Sequence, residues 1–268
     1  MTYIDLSGIK IHYTTKGSGD PLVILPDNLL TAQAYQGEID HFAPCYQVFS
    51  LDYPGSGKSS HEWMYFDEIQ VDFWGFLADL ICHWLLELKI DSCYMIGTGG
   101  GALVALHFAG KQARQHNLSA TGIVADHFLA DWDSRTLHRW LDVREDFYVR
   151  NDQTLQDQHG EDWRQVVDRD TNYLRTLADR GGYTVSEGIL NAIRCPVLLT
   201  GHLQDPVLPG VATEYARLSS LIPDCSIFLS SDANHPFLER PFMWSDRSTY
   251  QTVSDQFLSR VVGKKSGS

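Results

Sequence analysis

The residues best placed to do chemistry lie between Tyr94 and Leu106, where Tyr94-Met95-Ile96 runs into Gly97-Thr98-Gly99-Gly100-Gly101 and then into Ala102-Leu103-Val104-Ala105-Leu106. An apolar strand pattern thus meets a glycine turn and a helix of small residues. Glycines permit strained dihedrals and let helix and strand approach closely. Two phosphate-binding patterns compete for such a turn. Gly97, Gly99 and Ala102, with Asp126 after the following strand, fit a loose Gly-x-Gly-x-x-Ala dinucleotide loop, which is a weak signal on its own. A P-loop requires Lys-Ser/Thr after the glycines, and none follows. At the centre of the turn Gly99 offers no side chain, so no covalent intermediate can form there.

The elements that carry this turn are legible as alternating patterns. Ile9, Ile11 and Tyr13 alternate with polar residues, as in a half-buried strand. Leu22–Leu25 is a continuous apolar run, as expected of a parallel strand covered on both faces, and 48–51, 93–96, 122–125 and 197–200 read similarly. Leu77, Leu80, Ile81, Trp84 and Leu88 mark one face of a helix. Strands and helices in alternation predict an α/β fold, with a mainly parallel sheet and helices on both faces. From about Asp131 to Glu187 the strand signal fades, charges accumulate, and Leu137, Trp140 and Leu141 take helical spacing. That predicts a core of residues 1–130 and 188–262, an inserted helical lid at 131–187, and a flexible tail at 263–268.

Four segments in order resemble the α/β-hydrolase superfamily, and together they span nearly the whole chain. The glycine turn is similar to the family's nucleophile elbow, Gly-x-Ser-x-Gly, with Gly99 at the nucleophile position. Asp52-Tyr53-Pro54-Gly55-Ser56-Gly57-Lys58-Ser59 resembles its Asp-x-x-Gly-x-Gly-x-Ser turn. The segment Leu199–Pro209 looks like its strand-then-acid segment, with one extra residue before Asp205. Asp232–Pro241 looks like its histidine loop. The resemblance implies a general base at His235, whose imidazole exchanges protons near neutral pH while a carboxylate fixes its tautomer. Asp205 matches the motif that supplies this acid. Asp126 is a second candidate, since certain lactonases and cofactor-independent ring-cleaving dioxygenases of this fold place the acid there. The other histidines show no metal-ligand spacing, so no metal site is expected.

The resemblance also implies an oxyanion hole made by the backbone N–H of Gly100 and a second donor from the loop after Pro26, for which Asn28 is chosen. Where most relatives carry His-Gly, this chain reads Pro26-Asp27, similar to the loop of resorcylic-lactone hydrolases. Three readings of Gly99 stand open. It is an engineered replacement of a serine, or it belongs to an enzyme whose His–Asp dyad works without a nucleophile, as in a cyclase, lyase or oxygenase, or it belongs to a ligand-binding protein. An imidazole at 235 is expected to face a hole left by the missing hydroxyl. Trp132, Trp140, Phe147, Tyr148 and Leu29 are expected around an apolar ester or lactone.

Composition narrows the classes. The chain has 268 residues, 43% hydrophobic, enough for one sizeable core. With 34 acidic against 21 basic side chains, the net charge is −13, which argues against a nucleic-acid partner. No apolar run approaches the roughly 20 residues of a membrane span. Five dispersed cysteines without a Cys-x-x-Cys pair, and an N-terminus unlike a secretory signal, predict a cytoplasmic protein. No cofactor is expected.

Overall fold

The computed structural model describes residues 2–61, 72–205, 207–208, 210–231 and 247–265. Its strands are β1 (Thr2–Leu6), β2 (Ile9–Lys16), β3 (Asp20–Leu25), β4 (Tyr46–Leu51), β5 (Ser92–Thr98), β6 (Ser119–Asp126), β7 (Asp131–Asp133), β8 (Gly182–Thr184), β9 (Val197–His202) and β10 (Cys225–Ser230). Eight of them form one sheet in the order β1-β2-β4-β3-β5-β6-β9-β10. Within this sheet, among the described residues, only the β1–β2 and β2–β4 pairs are antiparallel; β4, β3, β5, β6, β9 and β10 run parallel. The predicted α/β class and mainly parallel sheet are therefore observed.

The continuous apolar run of β3 is explained by its two covered faces. The first two helices are α1 (Gln36–Phe42) and α2 (Phe73–Glu87), and Val23 and Leu25 pack into a core with Leu77, Ile81 and Trp84 of α2. Leu22 and Ile24 point the other way, onto Ile39 and Phe42 of α1 and onto Tyr250, Phe257 and Leu258. Each fully buried side chain of this kind contributes about 1.5–3 kcal/mol. The Asp72 carboxylate caps α2 by accepting from Gly75 N–H at 3.0 Å.

After β5 comes α3 (Gly100–His107), and after β6 the chain leaves the sheet. It forms β7, α4 (Ser134–Arg150), α5 (Asp152–His159), α6 (Trp163–Asp179) and β8, and returns through α7 (Glu187–Ala192). The helical character expected of 131–187 is present, but its two ends pair as a short antiparallel ribbon, Trp132 opposite Tyr183. Three-residue strands carry too little alternation to be read from sequence. Two further helices among the described residues are α8 (Val211–Leu221) and α9 (Arg247–Lys265). The last runs past Gly263, where a frayed tail was expected, since extending a nucleated helix costs little. No helix among the described residues is long and apolar enough to cross a membrane.

Candidate active site

Gly99 sits between the end of β5 and the start of α3 with φ 55° and ψ −120°. Its N–H donates to the Asp126 carbonyl at 2.9 Å, which pins the turn. A side chain on that backbone would be strained by about 1–3 kcal/mol. It would also collide: a Cβ on Gly99 would lie 2.4 Å from Asp27 Oδ1 and 2.5 Å from Asp27 Cγ. The expected hole is therefore corrected. The Asp27 carboxyl group fills the space beside Gly99, because the loop after β3 aims it there.

Asp27 is held by the backbone donors that the sequence pointed to. Its Oδ1 accepts from Gly100 N–H at 2.6 Å and from Asn28 N–H at 2.8 Å. These two N–H groups, from the first residue of α3 and from the β3 loop, thus converge on one oxygen. The Asp27 N–H donates to the Tyr35 hydroxyl at 3.2 Å, and its carbonyl accepts from Leu30 N–H. Burial pushes the carboxyl pKa up from 3.8 to about 6, and Asp170 adds to the rise. The two N–H bonds and Arg144 act against it.

Asp27, Gly99 and Gly100 form the floor of a cleft of about 670 Å³, part of it open to solvent. Asn28, Leu29, Trp132 and Trp140, named from sequence, all line it. Leu29 also packs against Tyr148, Leu155 and Trp163. Trp140, Arg144 and Tyr148 share one face of α4 at a spacing of four. The Arg144 guanidinium lies 5.4 Å from the Trp140 ring centre and 5.0 Å from that of Tyr148. Arg144 also pairs with Asp170 of α6, both largely buried, and Asp170 Oδ1 accepts from Asn28 Nδ2 at 3.1 Å. Trp74 Nε1 closes this network by donating to Asn28 Oδ1 at 3.0 Å. The cleft is thus aromatic with one buried ion pair. Sequence reading missed Asp27, Arg144 and Asp170, which only the folded chain brings to the cleft.

The two acid candidates have different settings. Asp126, fully buried at the end of β6, accepts at Oδ1 from Thr200 Oγ1 at 2.6 Å and from His127 Nδ1 at 2.8 Å. His127 has φ 45°, and its Nε2 meets His202 Nδ1 at 2.5 Å. Asp205 accepts at Oδ1 from Val207 N–H at 2.8 Å and Leu208 N–H at 2.9 Å, and both donors lie on the cleft wall. His235 lies outside the described residues, as does the side chain of Phe147.

Other motif residues hold the scaffold. Asp52 accepts from His12 Nδ1, Lys58 N–H and Ala32 N–H, each at 2.9 Å. Gly57, φ 54°, lets its turn close over that carboxylate, since a Cβ would lie 2.4 Å from Asp52 Oδ2. His159 of α5 accepts from Gly57 N–H and donates to the Leu29 carbonyl, both at 3.0 Å, tying the insertion to the cleft loop. Although no metal-ligand spacing was expected, Asp79, His83 and His116 bring one potential ligand atom each within 4.8 Å of one another, away from the cleft. His116 Nε2 bonds Asp79 Oδ1 there at 2.7 Å.

Comparison with known proteins places this architecture. No family model matches the chain. A stretch of 49 residues is 41% identical to (E)-2-((N-methylformamido)methylene)succinate hydrolase of Acinetobacter baylyi, covering 18% of this chain and 19% of that protein. The fold matches the enol-lactonase of Burkholderia xenovorans with a TM-score of 0.66 at 14% identity, over 96% of this chain and 100% of that one. It matches a thermophilic esterase of Thermogutta terrifontis at 0.69 and 17% identity, over 97% and 99%. An epoxide hydrolase of Bacillus megaterium gives 0.64 at 16%, over 96% and 100%. The chain has the α/β-hydrolase fold.

Proposed function

We propose that the chain is a hydrolase acting on a small, largely apolar ester or lactone, by direct attack of water and without an acyl-enzyme at position 99. The observation that carries this reading is the convergence of Asn28 and Gly100 N–H on one oxygen at the floor of an aromatic cleft. Paired backbone donors at such a point stabilise charge developing on a carbonyl oxygen, and losing one typically costs about 10²–10³ in turnover. The aromatic walls and the lid role of the 131–187 insertion suit an apolar substrate shielded from water. His235 serves as proton carrier to the leaving group, with Asp205 as its carboxylate partner. The lactonase and esterase among the structural relatives support this class. The Asp27 carboxyl group beside Gly99 supports a route in which position 99 supplies no nucleophile.

The test is a pH-stat assay on p-nitrophenyl butyrate and on γ- and δ-lactones with alkyl chains. Turnover without a burst of p-nitrophenol, and without labelling by a fluorophosphonate, is expected. His235→Ala is expected to lower it about 10²–10⁴-fold. A chain that turns over no member of the panel is a binding protein, and the reading fails.

A further inference from the structure

We propose that Asp27 is the reacting carboxylate of this cleft: its Oδ2, presented in the space a nucleophile side chain on Gly99 would take, acts as the general base. The inference rests on reading the cleft as an active site and names the group that does its proton transfer.

Three observations carry it. The carboxyl group occupies the nucleophile's volume, with Cγ 2.5 Å and Oδ2 2.7 Å from where a Cβ on Gly99 would begin. Both backbone donors bind Oδ1, and among the described residues no donor binds Oδ2. One oxygen is clamped and the other is offered to the cleft. The loop that carries it is itself fixed, because the Asn28 side chain is held by Trp74 and Asp170. In this pose the Asp27 carboxyl group takes space that a Cβ at 99 would contest.

The electrostatic setting suits a base. The groups facing Asp27 are Arg144 of α4, Asp170 of α6, and Tyr35, Tyr53 and Tyr148, with His127 on the same cleft. Burial lifts the carboxyl toward pH 6, close to the working range in which a general base combines ionisation with basicity. In ester hydrolysis Oδ2 takes one proton from water as the water oxygen bonds to the carbonyl carbon and the π pair moves to the carbonyl oxygen. Collapse breaks the bond to the leaving alkoxide, which takes that proton back, directly or through His235.

The test uses 5-nitrobenzisoxazole, whose ring C–H proton passes to a base while the C–H pair forms a nitrile and the N–O bond breaks to a coloured phenolate. The wild-type chain is expected to accelerate this elimination, with a rate rising through an apparent pKa near 6. Asp27→Asn is expected to lose at least about 100-fold while keeping its circular dichroism. Wild-type protein without acceleration, or Asp27→Asn that retains it, overturns the proposal. So does ¹⁸O from labelled water entering the Asp27 side chain during ester turnover, which makes it a nucleophile. Silence on the ester and lactone panel with the elimination intact sinks the ester reading alone.

Discussion

Asn28 Nδ2 donates to Asp170 Oδ1 at 3.1 Å, joining the loop that carries Asp27 to helix α6 across 142 positions of sequence. The same Asp170 neutralises Arg144, whose side chain is 5% exposed against 11% for the carboxylate. The insertion is therefore fastened to the cleft floor by a buried charge pair. Such pairs gain little over an apolar replacement but are costly to break on one side.

Asp170→Ala should accordingly destabilise the chain by about 3–5 kcal/mol in urea unfolding, since it strands the guanidinium beside Trp140 and Tyr148. Arg144→Met combined with Asp170→Leu should recover most of that loss. A single variant within 1 kcal/mol of wild type, on the order of surface substitutions, means the pair does not fasten the insertion.

Asp27 should cost stability where it is ionised. Its folded pKa, about 6, lies above the ordinary 3.8, so the folded chain binds this proton more tightly than the unfolded one. Stability from this group is full below about pH 4 and is lost as pH rises to 6. Asp27→Asn keeps an acceptor for both N–H donors and removes the charge. It should raise the melting temperature at pH 8, by a free energy of about 3 kcal/mol, and do little at pH 4. An equal effect at both pH values would place the carboxyl in water.

Gly99→Ser alone should fail to create a serine hydrolase. The new side chain meets Asp27 at 2.4 Å, so one of the two must move. We expect this variant to be less stable by about 1–3 kcal/mol and slow to react with a fluorophosphonate. Gly99→Ser with Asp27→Gly should label readily and release a burst of p-nitrophenol. Equal labelling of the single and double variants would mean that the Asp27 carboxylate does not occupy the site.

The strands legible in the sequence were those whose chemistry is local: Leu22–Leu25 could only be doubly covered, and Gly97–Ala102 could only be a tight strand-to-helix turn. β1 and the β7–β8 ribbon escaped because their pairing partners, not their own patterns, make them strands. The backbone donors of Asn28 and Gly100 were legible from the order of motifs. Asp27 was not, because its role arises from the meeting of a loop with a glycine 72 positions away in sequence, and nothing in either segment alone records it. Arg144 and Asp170 read as charges on solvated helices, and only tertiary packing buries them.

The acid proposed to serve His235 can be assigned by two substitutions with opposite expectations. Asp205 sits in a loop whose own N–H groups at 207 and 208 orient its carboxylate, and a loop acid of this kind can be neutralised without loss of packing. Asp126 is fully buried, with Thr200 and His127 on its Oδ1, and His127 is in turn joined to His202. If Asp205 partners His235, Asp205→Asn should lower ester turnover by about 10³–10⁴ while shifting the melting temperature little, as expected when an imidazole loses the carboxylate that fixes its tautomer. Asp126→Asn should instead act mainly on stability, by about 1–3 kcal/mol, through the polar network it leaves mismatched. Turnover lost at 126 and kept at 205, with both proteins folded by circular dichroism, would reverse the assignment and make the end of β6 the source of the acid.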